Sequence, residues 1–326
     1  MKQTIFYSII AVLATIFSAC NDEWEDEQYK KYVAFVRSGY TEINLNSNVA
    51  DGVIHYKIPI IISGSTGNDR DVTVTVALDR DTLDDYNIAM YYKRNDLFFR
   101  LLEEKHYDFP NGTTVTIPAG ENVGCLDIDF KIKEENELDL VEKYILPLQI
   151  VSTSEYLPSP HKWYKKSLMR IIPFNYFSGT YAAGAALITA EGSSESTSVE
   201  SREMRVVNDS AVFFYAGLCE ENARDRATYK VRVQFNDDHS LTFSADSAKI
   251  NFEANPEKCK WSLKEEMDAL QPYLMIRTIN MELQYSYEDV TNPDYKVKYT
   301  LKGFYTLERR RNIQIPEEDQ QVIFDW

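Results

Sequence analysis

Polar and apolar positions alternate along most of this chain with the period of two that sends one side chain to a core and the next to water. Residues 71–78 are the clearest case: Val72, Val74, Val76 and Leu78 share one face, and Thr73, Thr75 and Ala77 share the other. Leu126, Ile128, Phe130 and Ile132 repeat the pattern against Asp127, Asp129, Lys131 and Lys133. Residues 56–62 and 144–151 are denser apolar runs, as expected of central strands in a two-sheet sandwich. The period turns helical over 81–104, where Leu83, Tyr86 and Met90, then Leu97, Leu101 and Leu102, recur. That spacing predicts one or two short helices capping an end of the sandwich. Pro110-Asn111-Gly112 and Pro118-Ala119-Gly120 read as turns around a short strand at 113–117. Pro158, Pro160 and Pro173 mark the exit of this first unit, with 167–172 as its last strand.

A second unit opens at Phe177-Ser178-Gly179-Thr180-Tyr181. Its serine- and glutamate-rich segment 190–203 reads as an exposed loop. Val231, Val233 and Phe235 run into the turn Asn236-Asp237-Asp238-His239 and return through Leu241 and Phe243, a hairpin. A clearer hairpin carries Met281, Leu283, Tyr285 and Tyr287 to Thr291-Asn292-Pro293-Asp294 and back through Tyr295, Val297, Tyr299 and Leu301. At Gly303 the alternation slips by one and sets Phe304 beside Tyr305, the mark of a bulge or barrel corner. Ser262-Leu263-Lys264-Glu265 has the capping-box pattern of a short helix, limited by Pro272. The fold expected is all-β: a sandwich over 30–173 with a helical insertion, then antiparallel strands over 174–326.

The N-terminus follows a different pattern. Lys2 is followed by an apolar run over 5–17 and then by Phe17-Ser18-Ala19-Cys20. A run of about 13 residues is too short for a hydrocarbon core that needs roughly 20, so it reads as a secretory signal. Its end at Cys20 resembles the lipobox of bacterial lipoproteins, although Phe17 stands where Leu, Val or Ile is usual. That resemblance implies a signal peptide over 1–19, lipidation of Cys20 and an acidic linker over 20–29. Asn21-Asp22-Glu23-Trp24-Glu25-Asp26-Glu27 resembles the export signal that sends Bacteroidota lipoproteins to the outer face of the outer membrane. An ordinary signal followed by a solvated acidic linker is the other reading.

Four ordered motifs carry a further resemblance: Tyr32-Val33-Ala34-Phe35; residues 72–79 leading into Leu83-Asp84-Asp85-Tyr86-Asn87; Val115-Thr116-Ile117-Pro118-Ala119-Gly120-Glu121; and Tyr144-Ile145-Leu146-Pro147-Leu148-Gln149-Ile150. Together they resemble a recurrent N-terminal domain of unknown function in Bacteroidota surface lipoproteins. The resemblance implies an immunoglobulin-like sandwich placed ahead of glycan-binding or glycosidase domains in polysaccharide-utilisation systems. The long aromatic-rich strands of the second unit, with the closing stretch from Glu308 to Trp326, resemble lipocalin-like β-barrel domains that accompany that family.

Charge narrows the partners. The chain has 35 basic and 51 acidic residues; removing 1–19 takes only Lys2, leaving 34 against 51, a net charge of −17. Such a surface repels nucleic acid and anionic membrane, which bind through basic patches. Arg309-Arg310-Arg311 reads as a solvated cluster at a strand end. Apart from Cys20, the cysteines are Cys125, Cys219 and Cys259, with no zinc-knuckle or CxxC spacing; Cys219 and Cys259 are the pair able to bridge within one domain.

Catalytic signatures are weak. Asp127-Ile128-Asp129 is followed by Phe130 and Lys131, where a chitinase-type Asp-x-Asp-x-Glu strand needs its proton-donating glutamate. The histidines (His55, His106, His161, His239) show no metal-binding pair, Gly64-Ser65-Thr66-Gly67 lacks the lysine of a phosphate loop, and no GxSxG elbow occurs. Asn236-Asp237-Asp238 lacks a full calcium set. Asp81-Thr82-Leu83, Asp209-Ser210-Ala211 and Asp246-Ser247-Ala248 match a short O-glycosylation pattern of exported Bacteroidota proteins. No enzyme, cofactor or metal site is expected. What remains is sugar stacking on exposed aromatics: Trp163 and Tyr164 in the polar stretch 159–166, and Trp261 in 257–265, each of which also fits a plug at the end of its own domain. The expected function is non-catalytic binding of a polysaccharide or oligosaccharide at the cell surface, with another envelope protein as the alternative partner.

Overall fold

The computed structural model describes residues 27–46, 52–132 and 138–315; Cys20, the acidic stretch up to Asp26, Lys133 and Trp326 lie outside the described residues. Among the described residues no helix is long and apolar enough to cross a membrane.

The N-terminal half holds strands β1 (Tyr32–Phe35), β2 (Gly39–Asn46), β3 (Val53–Ile62) and β4 (Val72–Leu78), then helix α1 (Arg80–Tyr91). It continues with β5 (Arg100–Leu101), β6 (Tyr107–Asp108), β7 (Thr114–Ile117), β8 (Val123–Lys131), β9 (Tyr144–Thr153), β10 (Leu157–Pro158) and β11 (Lys166–Phe174). Two sheets, ordered β10-β1-β3-β8-β6 and β2-β11-β9-β4-β7, close face to face in an immunoglobulin-like sandwich. The alternating residues Val72, Val74, Val76, Leu126, Ile128 and Phe130 form its centre, each at most 1% exposed.

Helix α1 begins at Asp79, whose carboxylate accepts the Thr82 N–H at 3.1 Å. It lies on the outer face of the second sheet, where Leu83 and Phe99 pack with Ile145 and Leu168, and does not cap an end. That second cover is why residues 144–151 are apolar on both faces. The later helical spacing is not a helix: Asn95–Leu97 is one 3-10 turn, and β5 pairs in parallel with β9. Asn87 fixes the return by exchanging two hydrogen bonds with the Phe99 backbone, at 2.9 and 2.8 Å.

The C-terminal half is one antiparallel sheet of β12 (Gly179–Ala190), β13 (Ser196–Asn208), β14 (Ala211–Tyr215), β15 (Lys230–Phe235), β16 (Leu241–Ala245), β17 (Glu253–Ala254), β18 (Lys260–Met267), β19 (Leu274–Asp289) and β20 (Val297–Asn312). It curls into a nearly closed barrel, brought together at Ser240 and Lys260, where the Leu241 N–H donates to the Cys259 carbonyl at 3.1 Å. Tyr181, Tyr285 and Tyr305, all at most 1% exposed, fill the interior.

Three local expectations change. Most of residues 190–203 is strand, since β13 starts at Ser196 and pairs with β12; its serines and glutamates are the wet face. Residues 262–265 are not helical but sit in β18, paired residue for residue with β19; eight ladder pairs override a local capping pattern. The register through Gly303 does not slip, because β19 and β20 pair without interruption from Leu274–Asn312 to Asp289–Val297. The bulge lies opposite, in β12 between Ala182 and Leu187. Gly303 is an inward position left empty, as a Cβ there would stand 2.3 Å from the Ala186 Cα. Cys125, Cys219 and Cys259 are all free thiols.

The halves are joined by more than the linker after β11. Val141 packs into the barrel's hydrophobic cluster with Phe213. Arg205 donates to the Leu140 carbonyl at 2.9 Å, Arg226 to the Asp96 carbonyl at 2.8 Å and Arg94 to the Asn222 carbonyl at 2.7 Å. Glu221 of the barrel receives Lys143 of the sandwich at 2.7 Å and also meets Arg205. Arg309 is not solvated as its run suggested: its guanidinium turns in to the Asn175 and Ser178 carbonyls over Phe174, while Arg310 stays outside with Glu308. At the N-terminal end the Ser65-Thr66 turn holds the Glu27 carboxylate, with Ser65 N–H at 2.8 Å, Thr66 N–H at 3.2 Å and both hydroxyls donating. These bonds hold its pKa well below the carboxylate range despite some burial.

Candidate functional site

Trp163 and Tyr164 lie on the turn between β10 and β11. The turn is held at its base, where Lys166 N–H donates to the Trp163 carbonyl at 2.9 Å and Phe35 N–H to the Tyr164 carbonyl at 2.8 Å. Its rings point outward: Trp163 is 38% and Tyr164 52% exposed. Trp163 meets Tyr86 of α1 edge-on at 6.4 Å, and Tyr164 leans on His161 at 5.0 Å. Behind them Tyr86 stacks on Tyr40 at 5.6 Å. The result is a small aromatic shelf able to take the C–H face of a sugar ring.

Trp261 is not brought to that shelf. It sits at the barrel's closure between Phe177 (5.4 Å), Phe235 (5.5 Å) and His239 (4.9 Å), with its indole N–H donating to the Asn236 carbonyl at 3.0 Å. The 236–239 turn spends its side chains on itself, Asp238 accepting the Ser240 N–H at 3.0 Å and Asn236 donating to Thr242 at 2.9 Å.

Asp127 and Asp129 stand on the outer face of β8, bonded to Asn111 at 2.8 Å and to His55 at 2.7 Å. Thr82 is 4% exposed, its hydroxyl held by Asp79 and Lys166, which closes that glycosylation position. Burial would raise the Asp79 pKa, but Lys166 and Thr82 lower it overall. Among the described residues no group of three or more His, Cys, Asp or Glu is placed to hold a metal ion.

Two of the concave places among the described residues bear on binding. A cleft of about 280 Å³ at the junction of the halves is lined by Ile172, Phe174, Met204, Glu203, Arg205 and Arg309, but both arginines are already engaged by protein carbonyls. The larger, about 760 Å³, runs over the outside of the barrel across β12, β20 and β19. There Leu187 (45%) and Phe304 (51%) project to solvent, while Ala186, Ile188, Leu301 and Tyr305, the neighbours in alternation, are buried. Sequence reasoning missed Phe304 by reading a slip at Gly303; counting Leu301, Gly303, Tyr305 and Leu307 as one inward row would have found it.

Two family models match. One described as a domain of unknown function, DUF4973, covers residues 24–154. One described as a C-terminal domain covers residues 165–306. No curated protein matches the chain. Among solved structures, a Bacteroides ovatus protein of unknown function is 35% identical with a TM-score of 0.79, the match covering 89% of this chain and 99% of that one. A multidomain B. ovatus protein including DUF1735 is 34% identical (TM-score 0.77; 89% and 99% covered). An auxiliary nutrient binding protein from Bacteroides thetaiotaomicron is 32% identical (TM-score 0.77; 87% and 95% covered).

Proposed function

The chain belongs to the same family as these Bacteroides proteins, with DUF4973 as its N-terminal half, and from that membership we propose that it is a non-catalytic binding protein for polysaccharide or oligosaccharide. The observation that carries this reading is the full-length likeness to an auxiliary nutrient binding protein, 32% identical over 95% of that chain. Exposed rings on a rigid scaffold support it, as at Trp163 and Tyr164. So does the Asp127-Ile128-Asp129 strand, which carries Lys131 where a chitinase-type strand needs its proton-donating glutamate. The lipobox-like Cys20 and the acidic stretch behind it make the protein a lipid-anchored component of the outer membrane, facing outward. Calorimetric titration with host and plant polysaccharides tests the reading: saturable binding of one polymer is expected, and no binding across the panel overturns it.

One feature favours an envelope-protein partner instead. Beyond Trp261, whose N–H donates to the His239 carbonyl at 2.9 Å, the outer edge of β18 is unpaired among the described residues, and Leu263, Met267, Leu270, Tyr273 and Ile313 are exposed on or beside this ribbon. Crosslinking in intact cells to one defined membrane protein, in the absence of sugar, is the result that would select this reading.

A further inference from the structure

We infer that the groove across β12, β20 and β19 is a binding site for an acidic saccharide, a chain of pyranose rings bearing carboxylates, with Phe304 as the stacking platform and Lys258 and Lys302 as the carboxylate contacts. This rests on the glycan-binding reading and gives it a site and a ligand class.

Register builds the site. Outward residues of neighbouring strands stand in rows, Lys302 beside Leu187 on one side and Gln284 on the other, and Phe304 beside Glu282. Lys258 lines the same groove. Neither Lys258 nor Lys302 has a carboxylate partner among the described residues, whereas Lys298 at the end of the groove is paired with Glu253 at 3.5 Å. In a chain with a formal net charge of −16, two unpaired ammonium groups in one groove form a local site for negative charge. The β12 side of the groove is open at the bulge, where a Cβ on Gly184 would meet nothing within 4 Å. Gln284, Thr300 and Thr189 supply an amide and hydroxyls for sugar hydroxyls, and Glu282 accepts from them.

Other occupants fit less well. All three strands are paired on both sides within the sheet, so an extended peptide finds no backbone edge here. The barrel interior is filled by Tyr181, Tyr285 and Tyr305. Glu191 and Glu282 also line the groove, so the carboxylate contacts are confined to the Lys258 and Lys302 positions.

The test is titration of the full chain with polygalacturonate and with neutral polymers, dextran and mannan among them, comparing wild type, Phe304→Ala, Lys302→Gln and Trp163→Ala. The expected result is binding of polygalacturonate that falls about tenfold or more in Phe304→Ala and severalfold in Lys302→Gln, and that weakens as salt is raised. Phe304 is 51% exposed, so Phe304→Ala should keep the wild-type circular dichroism and melting temperature. Polymer binding that both groove variants retain, or that only Trp163→Ala removes, overturns the groove and leaves the glycan reading standing. Binding of neutral polymers alone overturns the acidic class. No binding to any polymer overturns both.

Discussion

Trp261 is held on three sides by rings and through its N–H by the Asn236 carbonyl, so its truncation removes packing and one of the two hydrogen bonds that carbonyl accepts, the other coming from the His239 N–H at 3.0 Å. Trp261→Ala should therefore lower stability by about 3 kcal/mol, read as a shift in the urea midpoint. A wild-type midpoint would mean that the barrel's closure does not depend on it. At this scale the sequence was legible where polarity of the neighbours decides exposure, as for Trp163 and Tyr164, and illegible where a distant strand decides it. Trp261 has polar neighbours in sequence and aromatic neighbours in space. Arg309 has two arginines beside it in the chain, yet it turns in to the linker carbonyls while Arg310 pairs with Glu308 outside.

The long strands show why element type could be read and some boundaries could not. Period-two alternation identified the hairpin of β19 and β20 and the strands β4 and β8 of the sandwich, since those patterns express one wet and one dry face. It failed at β18, where Ser262 to Glu265 obey a helix-start rule that strand pairing overrides. It failed again at β13, whose exposed face is polar enough to resemble a loop. Helix α1 was found by its spacing, but its position over a sheet face depends on Ile145 and Leu168, far away in sequence. The Gly303 position offers a sharp check on the barrel wall. Gly303→Ala must push a methyl group into the Ala186 backbone and the Ala185 carbonyl, 2.3 and 2.8 Å away; it should cost about 3 kcal/mol. Gly67→Ala, with nothing within 4 Å, should change stability by less than about 0.5 kcal/mol. Equal midpoints for the two variants would contradict the close approach of β12 and β20.

At the scale of the molecule the junction is electrostatic as well as apolar, and this makes it sensitive to acid. Burial would raise the Glu221 pKa, but Arg205 and Lys143 more than reverse that, lowering it from 4.5 to about 2. A folded-state pKa below the unfolded value contributes stability that is present above about pH 4.5 and lost as pH falls toward 2. At about 1.4 kcal/mol per unit, discounted for the carboxylate's partial exposure, the contribution is about 2 kcal/mol. Glu221→Gln should lower stability at pH 7 and flatten the pH profile between those values, measured by thermal unfolding at a series of pH values. A variant whose profile keeps the wild-type slope would place the acid sensitivity elsewhere. None of this was legible in the sequence, because the partners of Glu221 come from positions 143 and 205.

The clamp on Glu27 sets a length scale. If Cys20 carries the proposed lipid, the chain from anchor to clamp is seven residues, at most about 25 Å when fully extended. Such a leash limits how far the sandwich can range from the bilayer. Glu27→Ala alone leaves the Gln28 N–H on the Ser65 hydroxyl at 2.7 Å, so it lengthens the leash by one residue, about 4 Å. On that proposal the reach of the sandwich from the bilayer would be fixed by the Ser65-Thr66 turn as well as by the length of the linker.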